Sequence, residues 1–144
     1  MLDQILLGSV HVFVTVVIHG MAMLLSTSRL RKRMEDSREV PLWELFLRVF
    51  YVVVVMFIAT ILESAWWAAN YIYLGAMETF EAAMYFSMVT YTTLGYGDIT
   101  LDTQWRLLSA FQAANGVIIA GWSTALVFAV IQKIYVVRHT SGQP

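Results

Sequence analysis

The chain has no cysteine. That excludes a disulfide framework and a thiolate metal site, and it leaves no redox clue to the compartment. Charge is scarce as well. Only 13% of the 144 residues are charged, whereas an ordinary soluble domain carries roughly 25%. No Asp, Glu, Lys or Arg lies between Asp3 and Arg29, and none between Arg106 and Lys133. The first basic residue is Arg29; a secretory signal opens with positive charge, so the first apolar stretch is read as a span and not as a signal. No nucleophile–base pair, metal-ligand cluster or phosphate loop is visible, and an enzyme is not expected. Internal repeats and low-complexity tracts are missing too. No span carries the regularly spaced arginines of a voltage sensor. The segments outside the spans are too short for a cyclic-nucleotide or calcium-binding regulatory domain. The net charge of −1 decides nothing by itself.

What the chain does have is apolar surface: 59% of residues are hydrophobic and mean hydropathy is +0.67. A membrane helix needs about 20 mostly apolar residues to cross ~30 Å of hydrocarbon. Ile5 to Ser26, Trp43 to Asn70 and Leu107 to Ile131 meet that need, the second interrupted only by Glu44, Arg48 and Glu63. Pro41 suits the start of the second span. A fourth apolar stretch, Thr79 to Thr92, is 14 residues long and rises only ~21 Å as a helix. It is too short to cross, and Gly95 and Gly97 follow it. That pattern predicts a re-entrant segment, tolerated at membrane depth only where it is buried in protein or lines a watery cavity.

Charge sets the orientation. Eight of the nine basic residues (Arg29, Arg31, Lys32, Arg33, Arg38, Arg48, Lys133 and Arg138) fall on one side if three spans cross, leaving Arg106 opposite. That side is predicted to be cytoplasmic, with the N-terminus outside and the C-terminus inside. Asp3, Glu63, Glu78, Glu81, Asp98 and Asp102 fall toward the outside. Trp66, Trp67, Tyr71, Tyr73 and Trp105 are expected to form an outer aromatic belt, and Trp43 and Tyr135 an inner one.

Residues 90–98 read Thr-Tyr-Thr-Thr-Leu-Gly-Tyr-Gly-Asp. This resembles the potassium channel signature TVGYGD, matching at Thr93, Gly95, Tyr96, Gly97 and Asp98, with Leu94 in place of the commoner valine. Trp105-Arg106 at the start of the last span is similar to the tryptophan and arginine of the simplest two-span channels. Ser123-Thr124-Ala125 matches their following stretch. The resemblance covers roughly residues 43–137; the first span has no counterpart in those channels. It implies an ion-binding filter whose backbone carbonyls replace the hydration shell of K+, with K+ held at Thr93, Leu94, Gly95 and Tyr96 and the filter extending through Gly97. Glycine reaches backbone angles closed to other residues, so Gly95 and Gly97 allow successive carbonyls to face one axis. Thr93 adds a hydroxyl at the inner mouth, and the Leu94 side chain faces the pore helix. Tyr96 packs outward as a brace, and Asp98 concentrates cations at the outer mouth. Thr92 and Glu63 support the loop. By the same resemblance Val117, Ala120, Thr124 and Phe128 line the pore, on one helical stripe, and Gly116 is the hinge.

Several residues admit two readings. Phe128 is a hydrophobic constriction or a packing residue. Gly116 and Gly121 permit bending or close helix contact. Glu63 ties the pore helix to the inner helix, as a glutamate at a similar place does in voltage-gated potassium channels; otherwise it is an interfacial acid in water, or a proton sensor. Arg29-Leu-Arg-Lys-Arg is an orientation determinant, or it binds anionic lipid headgroups. His11 and His19 share a broad face of the first span. Without further ligands they are expected to be polar packing residues, not a metal or haem site.

The expected architecture is an all-α membrane protein with three transmembrane helices, a re-entrant pore helix and a selectivity-filter loop, assembled as a fourfold homotetramer. Its parts are an additional N-terminal helix (1–27) at the periphery, a basic cytoplasmic loop (28–42), a pore domain (43–137) and a cytoplasmic tail (138–144), frayed at its end. The pore domain comprises an outer helix (43–70), a pore helix (79–92), the filter (93–98) and an inner helix (105–135). The expected activity is passive, single-file K+ conduction in a cell membrane, with K+, the lipid bilayer and copies of itself as partners. No nucleic acid and no cofactor beyond the permeant ion are expected. The rival readings are a poorly selective cation channel on the same fold and a non-conducting regulatory or scaffold subunit.

Overall fold

The computed structural model describes residues 2–35 and 41–140. Every regular element among them is helical: α1 (Leu2–Glu35), α2 (Leu42–Tyr73), α3 (Phe80–Tyr91) and α4 (Arg106–Thr140). Three stretches are long and apolar enough to cross a membrane, Leu2–Leu30, Trp43–Tyr73 and Arg106–Lys133. α2 packs against the other three helices; α4 packs against all three as well, while α1 and α3 do not adjoin one another.

The helices outrun the expected spans. α1 starts before Ile5 and continues nine residues beyond Ser26 into the basic stretch. Arg and Lys are good helix formers, so nothing there stops the helix at the membrane edge. The expected loop over 28–42 is therefore helical as far as Glu35; Arg38 and the rest of 36–40 lie outside the described residues. α4 likewise continues through the expected start of the tail to Thr140, and 141–144 lie outside the described residues, as do the side chains of Tyr135 and Arg138.

Solvent inverts the usual pattern on α1. Its buried side is the polar one: His11, Thr15, His19 and Ser26, with Leu30 beyond. They are spaced by four or seven residues, one face of a helix. Leu6, Phe13, Val17, Met21 and Leu24 point away from the protein. In lipid the apolar side chains gain nothing by packing inward, so small and polar residues take the helix contacts. α1 thus lies against α2 and α4 and is joined to them by hydrogen-bonding groups.

The expected outer belt divides. Tyr73 is exposed and Trp66 partly so, but Trp67 and Tyr71 are fully buried. They form the centre of a cluster with Ala68, Ala83, Phe86, Tyr91, Leu101, Leu108 and Ile119 that joins α2, α3 and α4. Tyr71 meets Phe86 edge to face, 5.4 Å between ring centres. Their places near the end of α2 suggest a belt, but they point along the seam with α3 and α4. On the other side, Trp43 is exposed.

Candidate functional site

α3 is a 12-residue helix with a defined start and stop. Thr79 caps it: its side-chain oxygen accepts from the Ala82 N–H at 3.3 Å, satisfying one of the free donors of the first turn. The end is closed by two bonds, Thr93 N–H to Thr90 O and Leu94 N–H to Val89 O, both 3.0 Å. This is the Schellman pattern, in which the residue after the cap adopts a left-handed conformation. α2 closes the same way, and there Gly75 takes the left-handed place at φ 67°. On α3 the place belongs to Thr93, at φ 61°. The sequence attributes the stop to Gly95 and Gly97; the structure assigns it to Thr93, two residues earlier. Left-handed backbone in a β-branched residue is an outlier, and such outliers gather at functional sites.

The left-handed conformation then recurs at alternate residues: Gly95 is at φ 53° and Gly97 at 77°, with Leu94 and Tyr96 on negative φ between them. Positive and negative φ thus alternate along the loop, unlike the uniformly negative φ of a strand. The N–H groups of Thr93, Leu94 and Gly95 all turn back onto the last turn of α3, the last of these reaching Val89 O at 3.2 Å. No hydrogen bond between described residues ends on a carbonyl of Thr93, Leu94, Gly95 or Tyr96. Those oxygens lie just past the C-terminus of a helix, the negative end of its dipole.

Residues 92–98 are all exposed within the single chain. Leu94 is 55% exposed and Tyr96 67% exposed, so neither side chain is buried within a single chain. Asp98 does have a partner. The Tyr85 hydroxyl, one turn into α3, donates to Asp98 Oδ2 at 2.6 Å. That bond holds the Asp98 carboxyl below the usual carboxylate range and pushes the Tyr85 hydroxyl up. Tyr85 was not singled out by sequence reasoning; its spacing of 13 residues from Asp98 gives no periodic signal.

Behind the loop lies a buried polar cluster that includes Glu63. Its carboxylate is fully buried, so the reading of an interfacial acid in water does not hold. Oε2 accepts from the Tyr91 hydroxyl at 3.0 Å, which joins α2 to the last residue of α3. Asn115 on α4 donates to that hydroxyl at 3.4 Å and also to Thr15 Oγ1 on α1. The link from Glu63 to the inner helix expected from the resemblance thus passes through Tyr91. The unexpected partner is His19 on α1, whose Nδ1 lies 3.0 Å from Glu63 Oε1. A second chain of bonds lies nearer the start of α4: Tyr71 donates to Gln112 Oε1 at 2.8 Å, Gln112 to Ser87 Oγ at 2.6 Å, and Ser87 to Ser64 O at 2.6 Å. His11 is apart from His19, buried against Trp66 and Trp67. The two histidines do not share a site.

Gly116 is where α4 meets the end of α3. A Cβ there would lie 1.8 Å from the Tyr91 carbonyl oxygen. Close approach accounts for this glycine, and α4 runs through it as one continuous helix. At Gly121 a Cβ would meet nothing within 4 Å. Val117, Ala120, Thr124 and Phe128 all lie on the exposed side of α4. The last three form one wall of an apolar groove of about 520 Å³ whose other wall is Val53, Met56, Phe57 and Thr60 of α2.

The chain belongs to the ion channel family, whose sequence profile matches residues 57–133. That stretch takes in the second half of α2, all of α3, the 93–98 loop and the membrane-crossing part of α4. With three helices able to span a bilayer, the molecule is a membrane protein built for ion conduction. Comparison with curated proteins and with solved structures gives no match.

Proposed function

We propose that the chain is one subunit of a potassium-selective channel in which four copies of the 93–98 loop surround a single axis. One observation carries the reading: positive φ at Thr93, Gly95 and Gly97 alternates with negative φ at Leu94 and Tyr96, and no hydrogen bond between described residues ends on the carbonyls of 93–96. A ring of such oxygens replaces the water that an ion gives up on entry. One chain supplies one loop, and closed cyclic symmetry supplies the ring. On this reading α3 is the re-entrant pore helix, α2 and α4 are the outer and inner helices, and Val117, Ala120, Thr124 and Phe128 face the cavity. The exposed Leu94 and Tyr96 side chains find their partners on neighbouring subunits. Tyr85 holds Asp98 beside the outer mouth as an anion. The charge distribution favours an outside N-terminus and cytoplasmic basic residues, in a cell membrane.

The test is potassium flux from purified protein in liposomes, compared with Gly95→Ala. At φ 53° an added methyl strains the loop by ~1–2 kcal/mol and displaces its oxygens. Flux in wild type and its loss in the variant are expected. A wild-type chain that is inert, or a variant that conducts equally well, contradicts the reading.

A further inference from the structure

α1 contributes nothing to the loop, yet its His19 is bonded toward the residue that ends the helix before it. His19 is fully buried. It reaches two elements at once, with Nδ1 3.0 Å from Glu63 Oε1 on α2 and Nε2 3.1 Å from Ser123 Oγ on α4. The other Glu63 oxygen accepts from Tyr91, two residues before Thr93.

Both ring nitrogens of an imidazole can hydrogen-bond, so His19 bridges Glu63 on α2 and Ser123 on α4 in either tautomer. Ser123 Oγ also lies 3.0 Å from the Ile119 carbonyl of its own helix. Tyr91 donates to the other carboxylate oxygen, Glu63 Oε2. The groups facing His19 are Glu63 from α2 and Ser123 and the stacked Trp122 from α4, with Tyr91 of α3 beyond Glu63. Removing the His19 ring would leave Glu63 Oε1 buried without that partner, and an unsatisfied buried acceptor is costly. The hydroxyl on the other Glu63 oxygen belongs to Tyr91, whose carbonyl is lodged against Gly116.

We propose that His19 is a positioning residue for the filter, acting through Glu63 and Tyr91, so that α1 is a working part of the machinery that holds the loop in its conducting shape. The inference rests on the reading of 93–98 as a potassium filter.

The test is the K+/Na+ permeability ratio of the purified wild-type channel and three variants in planar bilayers, with the oligomeric state checked by size exclusion. His19→Leu, which removes the bonds to both Glu63 and Ser123, is expected to assemble but to lose about tenfold in the ratio, within the usual range of coupling between sites. His19→Gln, whose amide can donate to Glu63 and accept from Ser123, is expected to recover most of that loss. Ser123→Ala removes only the bond to α4 and is expected to lower the ratio by less than His19→Leu does. A His19→Leu channel with the wild-type ratio, or a His19→Gln channel no better than His19→Leu, overturns the inference. If His19→Leu fails to assemble, Ser123→Ala decides alone, and an unchanged ratio overturns it. A wild-type chain that passes no potassium overturns the filter reading, and this inference with it.

Discussion

At Thr93 the main chain adopts a conformation that glycine holds at the equivalent place after α2. A threonine kept there suggests that its side chain is needed. Thr93→Gly should relieve ~1–2 kcal/mol of backbone strain, so the detergent-solubilised protein should melt no lower than wild type. Its potassium flux should nevertheless fall, because the hydroxyl at the inner mouth is gone. A variant that loses stability and keeps its flux contradicts this account of the residue. Gly116 gives the opposite case. Its Cβ would collide with the Tyr91 carbonyl, and overpacking of that kind costs ~1–3 kcal/mol or more. Gly116→Ala should melt well below wild type, whereas Gly121→Ala, which meets nothing, should melt with it. Equal melting temperatures for the two variants would remove close packing as the reason for Gly116. Asp98 supplies a pH dependence. Its carboxyl is held below the usual range by Tyr85, so its charge, and what that charge contributes to the folded loop, is present above the ordinary carboxylate pKa. That contribution is lost only as pH falls through the lowered value. In Tyr85→Phe the group titrates nearer its ordinary value, so the acid decline in flux should begin at a higher pH than in wild type. A flux titration on the two proteins checks the sign.

Among the elements, the hydrophobic runs made the three spans legible, and the shortness of 79–92 followed by two glycines marked α3 and its loop. The sequence-level boundaries stopped where apolar residues stopped. Helices obey hydrogen bonding and propensity as well, so α1 and α4 run on into charged residues. What joins the elements was not legible. Glu63 stood out as an acid in an apolar stretch, but its partners His19 and Tyr91 lie 44 and 28 residues away, and no local pattern specifies such pairs. The polar stripe on α1 was visible only as two histidines, because its inward direction depends on lipid being the solvent. The sequence places Tyr71 in the outer belt and does not single out Ser87 and Gln112, because no local pattern specifies pairs 41 and 25 residues apart. Their bonds are buried, and Gln112→Leu would strand the Tyr71 hydroxyl without a partner, at about 1–3 kcal/mol for the unsatisfied group, and leave Ser87 only its bond to Ser64. Thermal melting should register that loss even if flux at low temperature survives; an unchanged melting point would mean that this chain of bonds does not hold α2, α3 and α4 together.

For the whole molecule, the unpartnered surface is the instructive one. The loop, the outward faces of Leu94 and Tyr96, and the stripe Val117–Phe128 are all open in a single chain, while Glu63, Tyr91, Gln112 and Asn115 bond the helices to one another inside it. On the proposed reading, such a subunit leaves its ion-facing side to symmetry. The most direct measurement is the reversal potential of the reconstituted channel with potassium on one side of the bilayer and sodium on the other. The account predicts a potential close to the potassium equilibrium value, maintained by the carbonyls of Thr93 to Tyr96. A potential near zero, with both ions passing equally, would contradict it.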